Sequence, residues 1–264
     1  MQRPGCLPED HRKDLECLAD VYWWHIHRRK VVLWLVNRFL SAHQGHRYLD
    51  VGCGPGATTH LIAEELSRSG LLDLDSPGSV AGMDVDPELK EPCEKYGVAF
   101  ELVDLDQEDS LGGGDGFSLF TLLDVLEHLK NPQALLSGLR SKLAPGALGI
   151  VTVPAFEQLY SSWDVGLGHH RRYTMSGLVS ILQQGGYEVL YSSYLYGFAF
   201  FPAYLVRRLG KRQKQPPLQG LEFPRVPSWM NILMGWICAA ERKYLRWGRL
   251  PLGTSVVAAV RKKG

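Results

Sequence analysis

Cysteine is scarce in this sequence: Cys6, Cys17, Cys53, Cys93 and Cys238 are scattered, with no Cys-x-x-Cys pair and an odd total. A disulfide framework and a paired-cysteine zinc module are thereby excluded, and free thiols of a reducing compartment are expected. Long apolar runs are also missing. The longest, Leu195 to Val206, is twelve residues with Pro202 inside it, whereas a bilayer span needs ~20. The polar start MQRPGCLPEDHRKD has no secretory apolar core, so neither a signal peptide nor an integral span is expected. Internal repeats and low-complexity tracts are absent, and the expected setting is cytoplasmic, with the protein peripheral on a membrane surface.

Net charge is low as well, +1 over 264 residues, but it is unevenly placed. From Tyr191 onward there are thirteen Lys/Arg against two acids, Glu222 and Glu241, a net of +11; the preceding residues carry −10. Such a split points the last third toward something anionic, unless its cations only solvate outer helix faces. Ordinary hydrophobic content, 45%, supplies one sizeable core.

Residues 11–42 read as helical, with no internal Gly or Pro. Tyr48–Val51 is a strand that runs into a glycine loop, followed by a helix from Thr58 to Arg68 with Thr58 or Thr59 placed to cap it. Further strands are expected at Ser79–Met83, Val98–Val103, Phe117–Leu123, Leu148–Val153 and Thr254–Val260, and Tyr187 to Tyr191 starts the sixth. Helices are expected at Gln133–Leu143, broken by Pro145-Gly146, and at Met175–Gln184, stopped by Gly185-Gly186. Strands alternating with helices predict parallel pairing with crossover helices on both faces. The expected fold is α/β: a Rossmann-like, seven-stranded, doubly wound sheet with an N-terminal helical segment and a helical insertion before the last strand. Within one domain the divisions fall at 1–45, a helical cap; 46–193, a cofactor-binding core; 194–250, an apolar and basic insertion with a helix from Trp229 to Trp247; and 251–264, the last strand.

The strand–loop–helix at Asp50-Val-Gly52-Cys-Gly54-Pro-Gly56 is a nucleotide-cofactor signature, because glycines let backbone approach the ligand and the helix start favours a negative group. Its spacing is GxGxG rather than the GxGxxG of dinucleotide loops, and Asp50 beside it suits a ligand bearing an ammonium group. Asp84 and Asp104 follow the second and third strands, at the sheet edge where open α/β folds bind ligands. There Asp84 would accept ribose hydroxyls and Asp104 an adenine amino group.

These residues, with Leu123-Asp-Val-Leu-Glu-His-Leu129 and Leu143-Ala-Pro-Gly-Ala-Leu-Gly-Ile-Val-Thr-Val-Pro154, resemble the successive motifs of class I S-adenosylmethionine-dependent methyltransferases over roughly residues 46–190. The resemblance implies that Asp50, Gly52, Gly54 and Gly56 hold the methionine portion of S-adenosylmethionine, Asp84 the ribose, Asp104 with the Leu105 amide the adenine, and that Leu123 lines the methionine side. Tyr22-Trp-Trp-His-Ile-His-Arg-Arg29, Gly168-His-His-Arg-Arg-Tyr173 and Leu250-Pro-Leu-Gly-Thr-Ser255 are similar to a bacterial-type subgroup associated with lipid-linked or cell-surface glycan pathways. In that subgroup the aromatic-Arg helix packs over the cofactor, which would bring Arg28 to the methionine carboxylate.

A hydroxyl acceptor needs a proton acceptor, and histidine suits that near neutral pH. His169, in a polar loop after the fifth strand, is the first candidate and His128 the second. The chain is read without a resident metal. The competing arrangement is Asp124-x-x-Glu127-His128 with His169 or His170, which resembles, with Asp for Glu, the metal ligands of some RNA 3′-end and quinone methyltransferases. Arg171-Arg172 would pair with an anionic substrate group or with acids of a neighbouring helix, and Tyr173 reads as packing. The expected partner is a small-molecule or lipid-linked acceptor methylated on oxygen. A nucleic-acid methyltransferase, a nicotinamide oxidoreductase and a cofactor-binding protein without catalysis are the alternatives. For the stretch from Leu195 to Leu250, with Arg207-Arg208 and Lys211-Arg-Gln-Lys214 beside apolar residues, the expectation is docking on an anionic membrane surface or a lipid-bearing substrate; covering a sheet edge or a dimer contact is the alternative.

Overall fold

A computed structural model describes residues 9–42, 45–107, 111, 114, 116–210 and 226–264. The N-terminal residues with Cys6, and the stretch holding Lys211, Arg212, Lys214 and Pro216-Pro217, lie outside the described residues. Along the chain come α1 (Glu9–Leu18), α2 (Trp23–Phe39), β1 (Tyr48–Val51), α3 (Ala57–Arg68), β2 (Val80–Asp84), α4 (Lys90–Lys95), β3 (Ala99–Leu102) and β4 (Phe117–Leu123). Then follow α5 (Pro132–Leu139), β5 (Leu143–Pro154), α6 (Ser162–Gly166), α7 (Met175–Gln184), β6 (Tyr187–Leu195), α8 (Gly197–Gly210), α9 (Ser228–Leu245) and β7 (Ser255–Lys262).

The strands form one seven-stranded sheet of order β3-β2-β1-β4-β5-β7-β6. All neighbours pair in parallel except β7, which is antiparallel to both β5 and β6. Central strands buried on both faces need apolar residues at nearly every position, and β1 and β4 are apolar apart from Asp50, Ser118 and Thr121. One face carries Val32, Leu35, Ile62 and Leu66 of α2 and α3. The other carries Leu135, Leu139, Leu178 and Leu182 of α5 and α7, around Phe120 and Tyr187.

Several local expectations are corrected. The N-terminal helix is two helices. Between them Arg29 donates to the Ala19 carbonyl (2.9 Å) and to Asp20 Oδ1 (2.5 Å), satisfying backbone that a continuous helix would use internally. Neither Thr58 nor Thr59 caps α3: its N-cap is Gly56, left-handed at φ 82°, and the Thr59 hydroxyl goes to Asp50 instead (2.5 Å). Helix α5 stops at Leu139, before Pro145-Gly146, which lies inside a longer β5. There the pairing slips from Phe117↔Leu143 to Leu119↔Leu148, the kind of irregularity where a strand tolerates proline.

The insertion contributes α8 and α9. Glu241 ties them to α2: its Oε1 lies 2.9 Å from His27 Nε2, and it accepts the Tyr196 (2.7 Å) and Gly197 (2.8 Å) backbone N–H groups. Among the described residues no helix is long and apolar enough to cross a membrane, and the four described cysteines are free.

Candidate active site

Parallel strands that all point one way deliver their following loops to one edge of the sheet, and a cavity of about 860 Å³ opens there. That volume is typical of ligand sites, which run ~300–1,000 Å³. Arg28, Asp50, Gly52, Gly54, Asp84, Leu123, His128 and His169 all line it. Three of the expected cofactor contacts do not. Gly56 serves as the α3 N-cap, Leu105 is buried in the core, and Asp104 is exposed, accepting from the Asp106 N–H (3.1 Å) and Gln107 Nε2 (2.6 Å).

On the cofactor side the glycine loop is fixed from beneath. The Gly52 and Cys53 amides donate to the Met83 carbonyl at 2.7 and 3.1 Å. Gly52 has φ 74°, and a Cβ there would sit 2.4 Å from Val125 Cγ2, so a side chain is excluded both by conformation and by space. Asp84 Oδ2 accepts the Gly54 N–H at 3.0 Å while Oδ1 accepts from Val85 (2.8 Å) and Asp86 (3.2 Å). Burial pushes its carboxyl upward against these bonds. Asp50 accepts from the Thr59 and Thr121 hydroxyls, both at 2.5 Å, and burial raises its pKa to about 6. Each carboxylate keeps further lone pairs for a ligand donor.

Arg28 is not a surface arginine. It is buried and ion-paired with Asp124, with Nε left without a partner. Asp124 stands at the tip of β4 with φ 61°, a left-handed conformation uncommon outside glycine, and its other oxygen accepts from the Thr152 hydroxyl at 3.2 Å. The carboxylate that the metal-site arrangement required is thus committed to Arg28.

On the far side, α6 presents Asp164. A capping box with Ser161 holds it, and Oδ1 lies 2.9 Å from His169 Nδ1 and accepts from Arg172 Nε at 2.7 Å. These partners keep Asp164 ionised well below the usual carboxylate range even though burial opposes it. With Nδ1 engaged, His169 Nε2 is the free ring nitrogen in the cavity. The His128 ring meets it edge-on at 4.6 Å, and burial lowers the His128 pKa to about 3, so His128 is neutral. Glu127 is fully buried with neither carboxylate oxygen partnered, and burial with Asp124 nearby pushes its pKa well above the usual range. Ligand atoms of Glu127, His128 and His169 lie within 4.8 Å of one another. The orphaned Glu127 oxygens and two imidazoles fit a divalent ion chemically, which would act there as a Lewis acid. His170 is exposed and outside this cluster.

Arg171 bonds the Leu129 and Lys130 carbonyls and does not line the cavity. Tyr173 is packing, its hydroxyl donating to the Leu126 carbonyl (3.0 Å). Sequence reasoning gave no role to Asp164, although it stands five residues before His169, nor to α1, which brings His11 and Leu15 to the cavity. Apolar wall is added by Trp23, Trp24, Leu167, Ala199, Ala203 and Val206, with Arg172 and Arg207 among the polar lining residues.

Residues 23–192 match the family described as Methyltransferase domain, and the chain belongs to that family, the class I S-adenosylmethionine-dependent methyltransferases. It is 33% identical over 115 residues to a ubiquinone biosynthesis O-methyltransferase of Cereibacter sphaeroides, covering 42% of this chain and 44% of the relative. A protein of the same name from Roseobacter denitrificans is 27% identical over 172 residues, 60% of this chain and 65% of the relative. These matches thus span less than two thirds of either relative. Among solved structures, the cyclase SpnF superposes with a TM-score of 0.58 at 17% identity, covering 95% of this chain and 92% of that one. A putative sarcosine dimethylglycine methyltransferase from Galdieria sulphuraria also gives 0.58, at 10% identity, covering 90% and 86%. Identities this low establish the fold alone, and a cyclase among the neighbours means that the fold does not dictate the reaction.

Proposed function

We propose that this protein transfers the methyl group of S-adenosylmethionine to an oxygen of a small, largely apolar acceptor carried at a lipid surface. The observation that carries the reading is the Asp164–His169 pair facing the same cavity as the Asp50–Gly54 loop and Asp84. A sulfonium is already an excellent leaving group, so alignment of nucleophile, methyl carbon and sulfur supplies most of the acceleration, ~7–11 kcal/mol from effective molarity. What remains is removal of the hydroxyl proton, and His169 Nε2, with its tautomer set by Asp164, takes it. The relatives named as O-methyltransferases support oxygen as the acceptor atom. A second reading, favoured by the orphaned Glu127 carboxyl, has a divalent ion at Glu127, His128 and His169 lowering the acceptor hydroxyl's pKa.

The reading is tested by supplying methyl-labelled S-adenosylmethionine with phenol- and alcohol-bearing lipids beside amine-bearing ones. Label in ether products supports it; label only in amines overturns it. Calorimetry provides the cofactor test: wild type binds S-adenosylhomocysteine, and Asp84→Ala weakens it by ~10- to 150-fold, the loss of a charge-assisted partner worth ~1.5–3 kcal/mol. Wild-type affinity in the variant, or preference for NADH, would count against the assignment.

The lipid surface is supported by what α8 and α9 expose. Trp229, Ile232, Leu233 and Trp236 form an i, i+3, i+4, i+7 stripe on α9, with Trp236 75% and Trp247 90% exposed. Phe201 and Leu205 lie outward on α8. Lys243, Arg246 and Arg249 are exposed beside Trp247, whereas Glu241, the described acid of this region, is buried. Apolar side chains at the acyl boundary with cations at the headgroups are how interfacial helices bind, each cation adding ~1 kcal/mol on an anionic leaflet. The protein is expected to pellet with anionic vesicles, less so at high salt. Trp236→Ser with Trp247→Ser should leave it in solution. Pelleting that is equal in the variant, or a salt-sensitive shift on nucleic acid without pelleting, would refute the lipid assignment.

A further inference from the structure

Helix α8 turns Phe201 and Leu205 outward, yet its Arg207 lines the cavity, beside Arg172 and His169. Arg207 Nη1 donates to the Leu159 carbonyl. Among the described residues no carboxylate forms an ion pair with it, and Nε and Nη2 have no bond to protein. The acid whose field reaches it, Asp164, is already committed to His169, to Arg172 and to the Ser161 N–H (2.9 Å) and hydroxyl (3.1 Å). Glu157, on the neighbouring turn, accepts the Arg172 backbone N–H at 3.1 Å. Burial and the Arg172 charge lower the Arg207 pKa to about 10, which leaves it cationic at neutral pH. A partly buried guanidinium without a counter-charge is costly unless an anion meets it.

We infer that Arg207, backed by Arg172, is a subsite for a phosphate or carboxylate group on the acceptor. The proposal rests on the methyl-transfer reading for calling the ligand an acceptor, but the anion site itself does not depend on it. Position decides which ligand it serves. The cofactor loop and Asp84 follow β1 and β2, whereas Arg172 and Arg207 follow β5 and β6, across the cavity and next to the proton-accepting His169. The free Nε and Nη2 of Arg207 offer the parallel donors with which arginine forks pair carboxylate or phosphate oxygens. The apolar walls of α2 and α8 would hold the rest of such a molecule, so the acceptor class is an amphiphile: an apolar body, a hydroxyl within reach of His169, and an anionic group at Arg207.

The test titrates the protein, with S-adenosylhomocysteine bound and again without it, with phenyl phosphate, benzoate and neutral phenol. Wild type should bind at least one of the anions ~10-fold more tightly than phenol, as expected for a charge-assisted pair. Arg207→Gln should lose that preference, and Arg207→Lys should keep part of it through charge alone, while both variants retain wild-type affinity for S-adenosylhomocysteine. Whichever anion loses more affinity in Arg207→Gln identifies the group as phosphate or carboxylate. Equal anion affinity in wild type and Arg207→Gln, or no anion preference in wild type, overturns the subsite. Weakened S-adenosylhomocysteine binding in Arg207→Gln would place the residue on the cofactor and overturn it too. Failure of wild type to bind S-adenosylhomocysteine would strike the methyl-transfer reading instead, and the titrations without it would still decide the anion site.

Discussion

Replacing His169 with alanine is expected to lower turnover by ~10²-fold or more while leaving S-adenosylhomocysteine affinity near wild type, as for a general base. The split matters. His169 lies across the cavity from the glycine loop, so its loss should not disturb the cofactor, whereas Asp84→Ala should. Asp164→Asn offers a sharper probe, because it keeps the shape but lets the His169 ring choose the wrong tautomer, and turnover should fall with little change in cofactor binding. His128 is neutral and packed against His169, so His128→Ala should cost less than His169→Ala. If the order is reversed, the two roles are exchanged. If a chelator abolishes turnover and a divalent ion restores it, the cluster of Glu127, His128 and His169 works as a metal site. Single-turnover transfer of labelled methyl to the acceptor found by screening is the measurement.

The largest expected effect on stability is at Gly253. A Cβ there would lie 2.1 Å from the Leu195 carbonyl oxygen and 2.8 Å from its carbon. Those atoms are backbone, and the same carbonyl accepts the Thr254 N–H at 2.9 Å, so neither side can yield without parting β6 from β7. Gly253→Ala is expected to cost about 3 kcal/mol or more, the upper range for overpacking. For a domain of this size that lowers the melting temperature by ~6–12 °C, which calorimetry reads directly. A shift below ~2 °C would mean that the close approach is absent in solution.

Strands β4 and helix α7 were legible to the residue because burial on both faces of one, and clean capping of the other by Thr174, leave their marks locally. The boundaries that moved did so for non-local reasons. Asp50 claimed the Thr59 hydroxyl from across the loop, and Arg29 reached back to end α1. At the site, Asp50, Gly52, Gly54, Asp84, His128 and His169 could be read from motif order, since each follows a strand and all strand ends share one edge. Arg207 could not, because only the return of α8 over the cavity gives a basic residue from an apolar helix its place inside. Asp104 also follows a strand, but its carboxylate accepts from its own loop, at Asp106 and Gln107, a local turn that motif order does not encode.

The antiparallel pairing of β7 carries an evolutionary consequence. Strand β6 ends, and β7 begins, at the register Leu195↔Ser255, on the same edge of the sheet as the cavity. Everything between them is therefore an excursion whose two ends are already joined by the sheet, and its length costs little, since closure entropy grows only with the logarithm of loop size. A chain built this way can exchange α8, α9 and their connection for other segments while β1 and β2, which lead into the glycine loop and Asp84, stay untouched.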